Sequence, residues 1–251
     1  MDNIAIISDI HGNIPALEAV ASDIRNRGIR RIICLGDLVG KGPQPAEAVE
    51  RIRELCEMTV LGNWDLGIGR PQVLEAGKWQ LQQLSASRLN YLAQLPFCAE
   101  LTMSGRRIRL VHASAKSVYH RVHREANKEE QLAMFANTEL TGDFDGISGL
   151  APDVVGYGDI HVPFVHTLES KERQGLMLFN TGSVGAPYDG LAQASYAILE
   201  GIANETRPAP FSVRLVRVPY DVERVIAIAE RAGMPQLDRF CYEMRAGLEQ
   251  Q

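Results

Sequence analysis

The stretch Ile4-Ala5-Ile6-Ile7-Ser8-Asp9-Ile10-His11-Gly12-Asn13 runs from four apolar residues straight into a carboxylate, an imidazole and an amide. The same transition recurs along the chain. Residues 32–35 lead into Gly36-Asp37, 59–61 into Gly62-Asn63-Trp64-Asp65, 108–111 into His112-Ala113-Ser114, and 154–155 toward Gly158-Asp159-Ile160-His161. Short apolar runs read as buried strands, and open α/β sheets place ligands beyond the carboxyl ends of their strands. Five polar clusters in the same position relative to five strands therefore point to one shared site. Its Asp, His and Asn content suits a divalent metal.

Working outward, residues 14–27 carry Leu17, Val20, Ala21 and Ile24 at helical spacing, with Pro15 in the first turn and Gly28 as a stop. A strand over 31–35, a helix over 45–55 and a strand over 58–61 complete βαβαβ, which predicts parallel pairing. Residues 71–95 read as mainly helical up to Pro96, and 98–103 with 106–111 as a hairpin through Ser104-Gly105. Residues 115–150 are dense in charge, with one helix near 128–137, and read as a cap-like excursion over the site. Strands at 164–168, 176–179, 195–199 and 212–218 precede helices at 221–231 and 235–247. A parallel first half followed by a strand-rich second half predicts two packed sheets with outer helices.

The 251 residues, 45% of them hydrophobic, can bury a full core, and no linker, repeat or low-complexity tract divides 1–251 into more than one domain. A net charge of −5 with interspersed signs offers no track for a nucleic-acid polymer. No apolar stretch approaches the roughly 20 residues of a bilayer span, and the first strand begins by Ile4 with no leader pattern before it, so a cytoplasmic protein without a membrane partner is expected. The oligomeric state is not legible. Cys34, Cys56, Cys98 and Cys241 form no C-x-x-C pair and read as small apolar residues. No P-loop and no G-x-G-x-x-G follows the first strand.

The order D-x-H, G-D, G-N-x-D, a later H and G-x-x-H, carried by Asp9, His11, Asp37, Asn63, Asp65, His112 and His161, resembles the calcineurin-like metallophosphoesterases. A Gly-rich turn, Asn180-Thr181-Gly182-Ser183-Val184-Gly185, adds to the likeness. The resemblance implies an α/β (α+β) fold of two mixed sheets flanked by helices, a four-layer αββα sandwich. It implies two divalent ions, Mn or Fe foremost, with Zn, Mg, Ni or Co as other candidates. Asp9, His11 and His161 would hold one ion, Asn63 and His112 the other, and Asp37 both. A hydroxide between the ions, held at Asp37, would attack phosphorus while Asn63 orients the phosphate.

Two positions depart from the family pattern. Asp159 stands where G-H-x-H has an imidazole; it reads either as a ligand, which would favour Mn- or Mg-like ions, or as a turn residue orienting a neighbour. Trp64 stands where G-N-H-D/E has its histidine, and an indole N–H has no usable acidity. Lost general-acid help, typically about 10²- to 10⁴-fold, favours substrates whose leaving group needs little protonation. Phosphodiesters and phosphoanhydrides fit better than phosphomonoesters or phosphoproteins.

Trp64 also presents a π face, and base stacking is worth roughly 1–3 kcal/mol, so a small nucleotide-containing substrate is one reading; packing of Trp64 against the 115–150 excursion is the other. Lys41 is near enough to Asp37 in sequence to touch substrate phosphate, but by default reads as a surface lysine in a Gly-Pro turn. His120, His123 and Arg124 lie with Lys116 and Arg121 in a basic cluster that could clamp phosphate or simply face solvent. His166, on an alternating strand, reads as structural. A reading of another class is a catalytically degenerate scaffold of this fold that serves protein interaction.

Overall fold

A computed structural model describes residues 1–250. The first sheet runs in the order β10-β9-β1-β2-β3, made of Ser212–Val218, Ala194–Gly201, Asp2–Ile7, Arg31–Cys34 and Met58–Thr59. The predicted βαβαβ is present: β1 and β2 pair in parallel with Ile4 opposite Arg31, and β2 and β3 with Ile33 opposite Met58. Its helices α1 (Ile14–Asn26) and α2 (Pro45–Leu55) connect them. The second sheet runs β4-β5-β6-β8-β7, made of Cys98–Met103, Arg106–Val111, Val154–Tyr157, Leu176–Asn180 and Phe164–Leu168. Both sheets are mixed, as expected, since β9, β10, β4 and β7 pair antiparallel.

The alternation of β1 shows how the layers stack. Ile4 and Ile6 join Ile33, Leu35, Ile108, Leu110, Val154 and Phe179 in the core between the sheets. Ala5 and Ile7 face the other way, onto Leu17, Val20 and Ile24 of α1 and Val49 and Ile52 of α2. Each strand residue is thus buried on whichever face it points to, and that explains the unbroken apolar run. The outer layer on the second sheet is thin. It consists of α6 (Lys128–Ala133) and loops, with Val122, Met134 and Phe135 against Val111, Val155 and Leu178. So the 115–150 excursion mostly covers the outer face of the second sheet. Buried Arg109 of β5 anchors it by donating to Ala136 O, Asn137 Oδ1 and Gly142 O.

Some boundaries differ from expectation. The region 71–95 holds two short helices, α4 (Glu75–Gln82) and α5 (Ala86–Ala93). A further short helix, α3 (Asn63–Ile68), starts on the Asn63-Trp64-Asp65 cluster, where side-chain chemistry hides helical periodicity. β3 is only two residues long because the chain leaves the sheet after Thr59 to deliver that cluster. The final pair, α7 (Val222–Arg231) and α8 (Leu237–Ala246), packs with Ala186 and Met234 into a small separate core. Among the described residues no helix is long and apolar enough to cross a membrane.

Candidate metal centre

The donor side chains are aimed by left-handed backbone. Asp9, His11, Asp37, Asp159 and His161 all have φ between 48° and 62°. Such a conformation costs a non-glycine residue roughly 1–2 kcal/mol and concentrates at functional sites. β1 stops at Ile7, and Asp9 and His11 lie beyond it in left-handed turns, not in extended backbone. Those turns are locked by Asp9 N donating to Gly36 O and His11 N to Asp37 O. Gly62 lets the loops close: a Cβ there would sit 2.2 Å from Asp37 N.

The three imidazoles at the centre of the site share one arrangement. Nδ1 of His11 donates to Val39 O at 2.9 Å, that of His112 to Leu35 O at 2.7 Å, and that of His161 to Ala186 O at 2.5 Å. A carbonyl only accepts, so each Nδ1 carries the proton and each Nε2 is turned inward as the prospective donor to a metal. Nε2 of His11 and Nε2 of His161 face each other at 3.3 Å. Asp9 Oδ1, fully buried and without a hydrogen-bond partner, lies 3.2 Å from Nε2 of His161. Two inward-facing nitrogens and an orphaned carboxylate oxygen are what a cation would satisfy, so the residues fit a metal.

Asp9, His11 and His161 can bring one atom each within 4.8 Å of one another, as can Asp9, Asp37 and His112. Asp37 reaches both groups, with Oδ2 3.7 Å from His11 Nε2 and Oδ1 3.5 Å from His112 Nε2. Asn63 Oδ1 sits 2.9 Å from His112 Nε2. Asp159 Oδ1 is 3.9 Å from that same nitrogen, but both its oxygens are held by Arg121, at 3.0 and 3.2 Å. All seven predicted donors therefore meet in one place. Burial and the neighbouring His161 and Lys41 charges push the His11 imidazole well below its usual range. Burial would also lower His112, but Asp37, Asp9 and Asp159 outweigh it and raise it to about 9. Burial, with Asp9 and Asp65 nearby, pushes Asp37 up against the pull of His112. For Asp9 burial acts upward but His161, His112 and His11 together hold the carboxyl below the usual range.

The expected substrate contacts divide. Trp64 is 37% exposed; its ring lies against Gly40 and meets the His11 ring edge-on, centroids 6.1 Å apart. It lines a cavity with residues of α4 and α8, so the expectation that it packs on the 115–150 excursion is replaced; Tyr119 of the excursion lies near Gly67 and Arg70 instead. Lys41 Nζ donates to Tyr188 OH at 2.8 Å. His120 is tied to Ser114 Oγ at 3.1 Å, and Arg124 pairs with exposed Glu125. His123 is exposed, and Arg121 is the member of the basic cluster that reaches the donors. His166 packs on Phe164, as a structural residue does.

Three contributors have no role assigned to them from the sequence. Asp65 is buried and accepts from the backbone N–H groups of Asp37, Leu38 and Gly62 at 2.8, 2.9 and 3.2 Å, holding the Asp37 loop. Its place as the acid of G-N-x-D was the available signal. Tyr188 stacks on His161 with ring centroids 4.7 Å apart, and Ser183 Oγ donates to Asp9 O. Only the Gly-rich turn hinted at these two.

A family model, the calcineurin-like phosphoesterase superfamily domain, matches residues 3–203. The chain belongs to that superfamily. It is a metal-dependent phosphoesterase, from a family that uses divalent metals. It is 33% identical over 257 residues to the uncharacterized protein MJ0912 of Methanocaldococcus jannaschii, with 93% of this chain and 94% of that one covered. Phosphodiesterase YfcE of Escherichia coli K12 is 24% identical over 210 residues, covering 80% of this chain and 88% of the relative. The crystal structure of a metallophosphoesterase from Sphaerobacter thermophilus superposes with a TM-score of 0.75 at 28% identity, covering 98% of this chain and 99% of that one.

Proposed function

We propose that this phosphoesterase uses two divalent ions to hydrolyse phosphodiester or phosphoanhydride bonds in small, nucleotide-containing substrates. Asp9, His11 and His161 would hold one ion, and Asn63, His112 and Asp159 the other, with Asp37 between them. The observation that carries this reading is the inward convergence of Nε2 of His11, Nε2 of His161 and the partnerless Asp9 Oδ1, beside a second group built on Asp37 and His112. A bound ion pair supplies Lewis acidity and an activated water for in-line displacement. Carboxylate, imidazole and amide donors with no thiolate suit Mn or Fe.

The chain's own residues narrow the substrate. Trp64 brings no acid to the leaving group, and its backbone N–H is already committed to Asp37 Oδ1 at 2.8 Å. A leaving group that departs without a proton is then favoured. Arg121, roughly half exposed beside Asp159, is the cation best placed to meet a substrate phosphate. Four free cysteines fit the cytoplasmic location that belongs to this proposal. The test is a substrate panel with Mn-loaded protein. Diesters and anhydrides should exceed simple alkyl monoesters in kcat/KM; preference for monoesters would overturn the reading.

A further inference from the structure

Beside the candidate metal centre lies a cavity of about 190 Å³. Its apolar wall is Trp64, Trp79, Met234, Pro235 and Phe240. The far side, from Met234 to Glu249, comes from α8 and its flanks, outside the 3–203 stretch that the family model matches. Two contacts join the cavity to the metal donors. Trp64 abuts the His11 ring, and Lys41, also on the wall, bonds to Tyr188, which stacks on His161.

The charged groups of this wall are spoken for. Arg239 Nε donates to Glu243 Oε1 at 2.7 Å, and Tyr188 OH to Glu243 Oε2 at 2.9 Å. Lys41 and Arg239 lie 3.9 and 4.0 Å from Glu249. Gln80 is turned to the backbone, accepting from Gly40 N and donating to Gly42 O. Aromatic walls with internally paired charges select a flat, uncharged group. The volume is below the roughly 300 Å³ at which whole drug-sized ligands are enclosed, so one ring system fits and a full nucleotide does not.

We infer that this cavity is a specificity pocket that takes a planar aromatic ring, a nucleobase or an aryl group, while the attached phosphate lies at the metal centre. The inference rests on the phosphoesterase reading above and adds which part of the substrate is recognised and by what. One base stacked on an aromatic side chain corresponds to about a 5- to 150-fold gain in affinity.

The chain has two tryptophans, Trp64 and Trp79, and both line the pocket, so intrinsic fluorescence reports its occupancy directly. Metal-loaded protein is titrated with adenosine 5′-monophosphate, phenyl phosphate and methyl phosphate. The ring-bearing compounds should quench or shift the emission and bind at least about fivefold more tightly than methyl phosphate. The better of the two rings distinguishes a purine from a small aryl group. Ala76→Phe, which fills the cavity from α4, should lower kcat/KM for an adenosine-containing diester relative to a dialkyl diester by a similar factor. Equal binding of all three probes with unchanged emission overturns the pocket, even if diesters are hydrolysed. Absent turnover of every diester overturns the hydrolytic reading and leaves the fluorescence result to stand on its own.

Discussion

Asp65 offers the most direct way to separate positioning of the site from metal ligation. Replacing it by alanine leaves the amides of Asp37, Leu38 and Gly62 without their acceptor in a place that is only 2% exposed at Asp65. An unsatisfied buried donor costs about 1–3 kcal/mol, which sets a floor of about 3 kcal/mol for three. Removing a carboxylate whose pKa burial has raised relieves some desolvation, so the floor is the proper figure and the larger sum is not. In a chain of this size about 1 kcal/mol shifts Tm by roughly 2–4 °C, so metal-free Asp65→Ala should melt at least roughly 6 °C lower. With the Asp37 loop released, Mn affinity should fall about 10- to 100-fold although no donor has been removed. Calorimetry in chelator, then titration with Mn, reads both effects. A Tm within about 2 °C of the parent together with unchanged Mn affinity would refute the reasoning.

Other expectations follow from the same geometry. His112, raised to about 9 by Asp37, Asp9 and Asp159 against burial, is protonated in the metal-free fold below that pH. Its contribution, about 3 kcal/mol from the raised pKa, is complete below about pH 6.5 and lost as pH climbs toward 9, so the Tm of metal-free protein should fall across that window. A flat profile would contradict the assignment. Gly40→Ala would put a Cβ 2.4 Å from Trp64 Cε3 at a φ of +81°, so Trp emission should change and Tm drop by roughly 2–8 °C; an unaltered spectrum would show the ring is not held there. Arg121→Ala removes the cation bonded to buried Asp159, and if that carboxylate is a metal donor, Mn affinity should rise by several-fold, about 1 kcal/mol. A fall in affinity would assign Arg121 the task of holding Asp159 in place.

The strands were legible because β1, β2 and β6 are buried on both faces and carry short apolar runs, whereas β5 shows only Ile108, Leu110 and Val111 around the buried Arg109. The hairpin through Ser104-Gly105 was legible because a glycine tolerates the left-handed turn it adopts at φ of 76°, although Ser104 enters that turn at 51° too. The donors were visible because each lies in the short polar cluster that comes after a strand end. What the sequence hides is direction. Nothing in Asp9-x-His11 announces left-handed backbone, and composition cannot tell that Arg121 turns inward while Arg124 pairs with Glu125. Trp64 could be seen as unusual, but its neighbours come from α4 and α8, about 15 and 175 residues further on, so only the fold could show them.

The central claim is a two-ion site. Metal-free protein titrated with Mn, with hydrolysis of a phosphodiester followed at each addition, tests it most directly. The account predicts two ions per chain and activity that rises with occupancy of the second. Saturation at one ion per chain or fewer, or no diesterase activity in excess Mn, would contradict it.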